Sequence, residues 1–418
     1  MSETRTQHQI AIVGSGPSGC YAAQFLIKTD ENVCVTVFDR LPIPYGLIRY
    51  GVAADHQGTK ALTRQFERVF QSPRVRFAGN VTLGTDLSVD DLLACFDAVI
   101  LATGLYEDRQ LEIPGAATAG VFGAGNVTRL LNGHPDEHDA VCDLGRDVVV
   151  IGAGNVALDV VRLLAKDATQ FTGSDMDEPV HSRLTSGLRS ITLVSRSSAA
   201  NAKFDRAMLH ELGEIEGLSV IVQGVDSNAD DAKSQTAREL AEADSSAARI
   251  SLTLRFCTTP LEVVGTDRVE GLRVDGLLGE HTIPADAVIT AIGFQGETDA
   301  PVDPRVRKVG WISRGPIGTI PDNRTDARHV ADEVLALVHS TEAKAPGFDG
   351  LPPLVHVRAT DFEHWRKIDT HEVANAAPGR TRRKLRSWTG LLQHPDDGSH
   401  PDVTAVAVGA RSDEGQIQ

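Results

Sequence analysis

A chain of 418 residues is too long for one hydrophobic core and predicts two domains or more. Its 41% hydrophobic and 23% charged residues describe an ordinary globular composition, and a net charge of −16 argues against a nucleic-acid partner, whose counterions only a basic face releases. Five cysteines, Cys20, Cys34, Cys95, Cys142 and Cys257, have no C-x-x-C pair and no metal-like spacing, so reduced core thiols in a cytoplasmic protein are expected, with no metal centre, iron–sulfur cluster or closely spaced redox disulfide.

The polar start MSETRTQHQ carries neither a signal-peptide core nor a transit pattern, and no apolar run approaches ~18 residues, which predicts neither secretion nor a membrane span. The stretch IAIVGSGPSGCYAAQF, Ile10 to Phe25, then runs as an apolar strand into a G-x-G-x-x-G turn and a helix. Gly14 permits the tight turn, Gly16 lets backbone close on a pyrophosphate, Pro17 opens the helix, and Gly19 lets that helix pack on the strand. A second strand, Val33 to Phe38, ends at Asp39, a carboxylate placed for an adenosine ribose hydroxyl. Next comes LPIPYGLIRYGVAADH, where Pro42, Pro44, Gly46 and Gly51 among apolar residues such as Leu47 predict a loop covering a ligand. An amphipathic crossover helix over Gly58 to Gln71 and strands over Val75 to Val81 and Ala98 to Ala102 follow.

The plan repeats at DVVVIGAGNVALDVVRLLAK from Asp147, with Gly152, Gly154 and Ala157 forming G-x-G-x-x-A. Its second strand, Ser190 to Val194, ends not on an acid but on SRS with Arg196, which suits a 2′-phosphate. The first copy is therefore expected to hold a FAD-like adenosine and the second NADP(H). Gly224 to Ala248, with six acids against two bases, reads as a solvated insertion. A strand from Ala287 to Ile292 closes the second copy, and the chain returns to the first domain from Glu297. The turn GWISRGPIGTI, with Trp311 as a flat face, opens a helix through Arg328 to Val338. Ala345 to Pro353 reads as a linker, Asp361 to Ala374 as a surface helix, and GRTRRKLRSW as a charge run open to a docking partner. The fold class expected is α/β with two Rossmann-like dinucleotide-binding domains, the second inserted in the first: 1–105 and 296–418 for FAD, with 394–418 a loose tail, and 106–295 for NADP.

The motifs VGSGPSG, PYGLIRYGVAADH, GNVALDV and GWISRGPIGTI together resemble the adrenodoxin-reductase-like class of ferredoxin–NADP⁺ reductases, from Gln9 to about Gln393. PYGLIRYGVAADH is the most specific, because general sheet physics does not call for it. The resemblance implies a monomeric FAD enzyme that takes a hydride from NADPH and passes single electrons to a ferredoxin-type iron–sulfur protein. It implies FAD contacts at Gly14, Gly16, Asp39, Leu47, Val81, Trp311, Gly318 and Ile320, nicotinamide-nucleotide contacts at Arg109, Asn155, Val156 and Arg196, and an ionic pair of His56 with Glu211 near the flavin. Ser197 stands where the family has a second Arg, and Met208 where it has a Glu. Serine donates a hydrogen bond but no charge, so NADPH should be favoured over NADH less strongly, by about 1–3 kcal/mol. Lys203 and Arg206 are candidates to supply the missing charge.

Against a chain of such negative charge, an acidic ferredoxin is expected to need a basic patch, either Arg183 with Arg189 or the cluster Arg380 to Arg386. Two other readings use the same fingerprints. One is an NADPH-dependent flavin subunit of a larger dehydrogenase or synthase, although such subunits carry cysteine clusters absent here. The other is a non-catalytic flavoprotein redox sensor.

Overall fold

The computed structural model describes residues 7–242, 248–296, 298 and 302–393. The first unit lays down β1 (His8–Val13), β2 (Val33–Phe38), β3 (Val75–Ala78) and β4 (Ala98–Leu101), all parallel and nearly continuously apolar, as strands covered on both faces must be. The chain then leaves through β5 (Glu107–Asp108) and builds β6 (Val121–Gly123), β7 (Asp147–Ile151), β8 (Ser190–Val194), β9 (Leu218–Gln223) and β10 (Ile250–Arg255). An antiparallel meander, β11 (Thr259–Val264), β12 (Gly271–Gly276) and β13 (Gly279–Pro284), precedes β14 (Ala287–Thr290), which re-enters the second sheet. β15 (Phe294–Gln295) pairs with β5, so the outgoing and returning chains share one neck, and β16 (Val306–Lys308) rejoins β4.

Among the described residues the sheet orders are β16-β4-β1-β2-β3 and β6-β14-β7-β8-β10-β9, so the second sheet is inserted within the first. Each order reverses beside the strand that carries a glycine turn, β1 against β4 and β7 against β14. That switch point, at the carboxyl ends of the strands, is where an open α/β sheet leaves a crevice. The helix Ile320–His339 packs along the helix Pro17–Thr29, which seals the returning chain onto the first unit.

Several expectations are corrected. The Gly58–Gln71 helix is two pieces, Gln57–Lys60 and Thr63–Phe70, because Lys60 turns inward to Asp175 while Phe66, Val69 and Phe70 face the core. The 75–81 strand stops at Ala78, since Asn80 takes a positive φ of 60°. The 224–248 stretch, expected as a solvated insertion, contains a helix, Ala232–Glu242, that buries Thr236, Ala237 and Leu240, and its residues 243–247 lie outside the described residues. The expected linker buries Phe348 and Leu351; the expected surface helix is present as Phe362–Ala374 and turns Trp365, Ile368 and Glu372 inward. Cys20, Cys95 and Cys142 are buried thiols, but Cys257 is exposed and Cys34 half-buried. The expected loose tail lies outside the described residues.

The basic run is corrected most. Arg380 reaches Glu178, Arg382 reaches Asp369 and Glu372, Lys384 reaches Asp175, and Arg386 reaches Asp177. Lys60 also binds Asp175 at 2.9 Å, and both lysines donate to Asn132. The run is thus a staple that ties the C-terminal segment to both sheets, and four of its charges are spent internally, while Arg383 stays exposed. Burial alone would raise the carboxyl of Asp175, but Lys384 and Lys60 outweigh it and hold it down at about 2. A carboxylate depressed in the folded state contributes stability above its unfolded pKa and loses it as pH falls through the folded value. Asp175→Asn should therefore cost at least about 2 kcal/mol at neutral pH and flatten the loss of stability between about pH 4 and pH 2. Urea titrations across that window check this; an unchanged acid limb would contradict it.

Candidate functional site

At the first turn the glycines do different work. A Cβ on Gly14, whose φ is +107°, would collide with the Ala102 carbonyl, and one on Gly19 with the Gly14 carbonyl. A Cβ on Gly16 would meet nothing within 4 Å. The protein's own packing therefore needs glycine at Gly14 and Gly19, whereas Gly16 borders open space. That space faces the helix Pro17–Thr29, whose first turn has no capping side chain and keeps its amides free for an anion. The loop after Asp39 closes over it: Tyr45 N donates to Ser15 O at 3.2 Å, and a Cβ on Gly46 would stand 3.3 Å from Gly16 Cα.

Asp39 fixes this turn from behind. One carboxyl oxygen accepts from Ser15 N at 2.9 Å and Ser15 Oγ at 2.5 Å, and the other accepts from Leu41 N at 2.9 Å. Burial pushes its carboxyl up, and those donors oppose the rise. Leu47 is half-buried beside Gly46. Val81 is buried with its amide on Asp39 O at 2.9 Å. Across the crevice, a Cβ on Gly310 would collide with Ser18 Oγ, which places the Trp311 turn against the first helix. Trp311 is stacked on Phe294 at 5.5 Å, Gly318 has φ +89°, and Ile320 begins the long helix behind a Thr319–Asp322 capping box.

The second turn repeats the division of labour. Gly152, at φ +126°, leaves no room for a Cβ beside the Ala291 carbonyl, whereas a Cβ on Gly154 would meet nothing within 4 Å. The helix Asn155–Ala165 likewise begins without a side-chain cap. Asn155 exchanges two 2.8 Å hydrogen bonds with Asp205, and Val156 packs on the core beneath. Arg196 and Ser197 are exposed at the end of β8. Lys203 is also exposed, its amide held to Ala153 O at 2.8 Å, inside the glycine turn. Arg206 instead donates to Thr236 at 2.9 Å and turns away. Arg109, pinned by its amide to Gly293 O at 2.9 Å, lines a cavity of about 750 Å³ with Asp108, Phe122 and Thr290 at the end of β14. Arg183 and Arg189 are exposed, but Arg189 stands at the other end of β8 from Arg196, roughly 20 Å away.

Where the two units meet, His56 Nε2 lies 3.3 Å from Glu211 Oε2, and His56 Nδ1 lies 3.6 Å from Asp159. Arg162, almost fully buried, forms ion pairs with Asp55, with Asp159 at 2.5 Å and with Glu211 at 3.2 Å. Burial pushes the Asp159 carboxyl up, while Arg162 and Lys166 outweigh burial at Asp55 and hold it down. Sequence reasoning missed Asp159 and Arg162. The available signal was a charged pair three residues apart on the otherwise apolar helix NVALDVVRLLA.

Among the described residues no cluster of His, Cys, Asp and Glu could hold a metal ion, and no helix is long and apolar enough to cross a membrane. The five cysteines are unpaired, and Cys20, behind the first turn, is fully buried with its thiol pKa pushed well up by burial.

The pattern of the pyridine nucleotide-disulphide oxidoreductase family matches residues 8–330. The chain is 40% identical over 424 residues to cindoxin reductase of Citrobacter braakii, covering 94% of this chain and 93% of that protein. It is 33% identical over 450 residues to NADPH-ferredoxin reductase FprA of Mycobacterium leprae (strain TN), covering 92% and 98%. Among solved structures, Mycobacterium tuberculosis FprA in complex with NADPH superposes with a TM-score of 0.85 at 29% identity, covering 92% of this chain and 99% of that one.

Proposed function

Because this chain belongs to the pyridine nucleotide-disulphide oxidoreductase family, we propose that it is a FAD-dependent ferredoxin–NADP⁺ reductase, taking a hydride from NADPH and delivering single electrons to a ferredoxin-type iron–sulfur protein. The carrying observation is that one chain presents two glycine turns, each opening an uncapped helix, and each with a glycine whose missing Cβ leaves space the protein does not fill. The residues fit two dinucleotides. FAD and NADPH supply hydride transfer between their rings and, from the flavin, release of electrons one at a time. The protein supplies binding, orientation and field.

Gly14, Gly16 and the first amides of the helix Pro17–Thr29 would grip the FAD pyrophosphate, with Asp39 at the adenosine ribose and Leu47, Val81, Trp311, Gly318 and Ile320 around the rest. Gly152, Gly154, Asn155 and Val156 would hold the second pyrophosphate, with Arg109 beyond it and Arg196 and Ser197 at the 2′-phosphate. His56 Nε2 faces Glu211 at 3.3 Å and its Nδ1 faces Asp159 at 3.6 Å, so carboxylates orient the ring from both sides; its proposed role is to position the nicotinamide against the flavin. His56→Gln should retain FAD but slow flavin reduction by NADPH roughly tenfold or more in stopped-flow absorbance. Unchanged reduction would remove this role.

Coenzyme choice turns on charge near Ala153. Lys203 is tethered there and Arg206 is engaged elsewhere, so Lys203→Ala should lower the NADPH-to-NADH ratio of kcat/KM by roughly tenfold, and Arg206→Ala should leave it within about twofold. Equal effects of the two would contradict the assignment.

We further propose that the enzyme works as a monomer, because both turns come from one polypeptide, and that it resides in the cytoplasm with its thiols reduced. The function is tested by mixing the purified holoprotein with NADPH and an acidic plant-type [2Fe–2S] ferredoxin. Catalytic ferredoxin reduction supports the reading, and reduction of small oxidants alone would overturn it.

A further inference from the structure

Of the basic residues expected to dock a partner, Arg380, Arg382, Lys384 and Arg386 are occupied and Arg189 stands at the far end of β8, which leaves Arg183 and Arg383 as isolated exposed charges, so an acidic partner needs another face. Three helices flank the first crevice: Thr63–Phe70, Pro17–Thr29 and Ile320–His339. The middle one touches both neighbours. Tyr21 packs edge-on against Phe66 at 4.8 Å, Gln65 donates to Gln24 at 2.9 Å, and Arg328 lies over the Phe25 ring at 5.5 Å. Gln24 and Phe25 lie about 100° apart around the middle helix, with Tyr21 and Lys28 between them, so its two neighbours meet it on different flanks and the three outer surfaces form one face.

That face is cationic. Arg64 and Arg68 lie four residues apart on the first helix, Lys28 ends the second, and Arg324 and Arg328 lie four apart on the third. All five are exposed, and none forms an ion pair among the described residues. The acids of the long helix are segregated from them. At about 100° per residue, Asp322, Asp326 and Glu333 fall on the side opposite Arg324 and Arg328. There they bind Thr319, Arg314 and Arg307 respectively. The middle helix contains no acid, and of the acids on the other two helices Glu67 and Asp332 remain near the face. Arg64 also sits in a first helical turn, where the dipole disfavours a cation, so it is not there for local stability.

The face is placed beside the chemistry. The long helix and the middle helix run parallel, since the Gly310 turn abuts Ser18 at their starts and His339 binds Asp30 at 2.6 Å at their ends. Both begin at the glycine turns around the first crevice. Arg324 is one turn along its helix, roughly 6 Å from that end. The first helix follows directly from the His56 segment.

We propose that Arg64, Arg68, Arg324 and Arg328 form the docking surface for an acidic one-electron iron–sulfur protein. This rests on the ferredoxin-reductase reading above and assigns the partner's place on the molecule. On a protein of net charge −16, a local positive field is what admits an acidic partner and orients it toward the crevice.

The test uses the holoenzyme and an acidic plant-type [2Fe–2S] ferredoxin, with the pairs Arg64→Glu/Arg68→Glu and Arg324→Glu/Arg328→Glu and their Gln counterparts. Each Glu pair should weaken calorimetric ferredoxin binding roughly tenfold and flatten its salt dependence, with the Gln pairs weakening it less. NADPH–ferricyanide turnover, which needs no docking, should stay within about twofold. Ferredoxin affinity unchanged in both Glu pairs overturns the surface, as does a larger loss from Arg183→Glu/Arg189→Glu. A wild-type enzyme that reduces ferricyanide but neither binds nor reduces ferredoxin overturns the parent reading itself, and the surface with it.

Discussion

Gly154→Val is expected to leave the protein folded and to lower kcat/KM for NADPH by roughly a hundredfold or more. A Cβ there meets no protein atom within 4 Å, and the backbone, at φ −110° and ψ 177°, is open to any residue. The folded state therefore loses little. What the branched side chain fills is the space over the uncapped first turn of the helix Asn155–Ala165, where the coenzyme pyrophosphate would approach the amides. Gly152→Val is the companion experiment. Its φ of +126° and the collision with the Ala291 carbonyl predict loss of soluble protein instead. Melting temperature and NADPH kinetics measured together separate the two. A Gly154→Val enzyme with normal NADPH kinetics would show that nothing binds over that turn.

The second large effect falls on the C-terminal staple. Glu372 is fully buried; it faces Arg49 at 2.5 Å and accepts from Leu385 N at 2.8 Å. Removing it as Glu372→Ala strands the Arg49 guanidinium in the core of the loop that covers the first crevice. Breaking one side of a buried pair costs about 3–5 kcal/mol, whereas replacing both partners with apolar residues costs far less. Urea unfolding should thus show a large loss for Glu372→Ala and a substantial recovery in Arg49→Met/Glu372→Leu. Equal losses in the two would contradict the pairing argument.

The two glycine turns were legible because their chemistry is local. Gly14 to Gly19 and Gly152 to Ala157 each lie within one turn between an apolar strand and a helix, and backbone sterics alone dictate them. The staple was not legible, because its partners are distant in sequence. Arg49 and Glu372 are 323 residues apart, and GRTRRKLRSW looks like any solvated run until Asp175, Asp177 and Glu372 are folded against it. His56 and Glu211, 155 residues apart, could be paired only through the family resemblance, and no resemblance pointed to Arg162 beneath them. The Thr63–Phe70 helix was half-seen: its apolar spacing was visible, but the inward pull on Lys60 that breaks it depends on Asp175.

The claim that two dinucleotides meet in this one chain is tested most directly by anaerobic titration of the purified protein with NADPH, following the flavin band. Isolation as a yellow protein, bleached by about one equivalent of NADPH and restored by an acidic ferredoxin, is the predicted result. A colourless protein that takes up no FAD, or a yellow one that NADPH leaves unchanged, would contradict it.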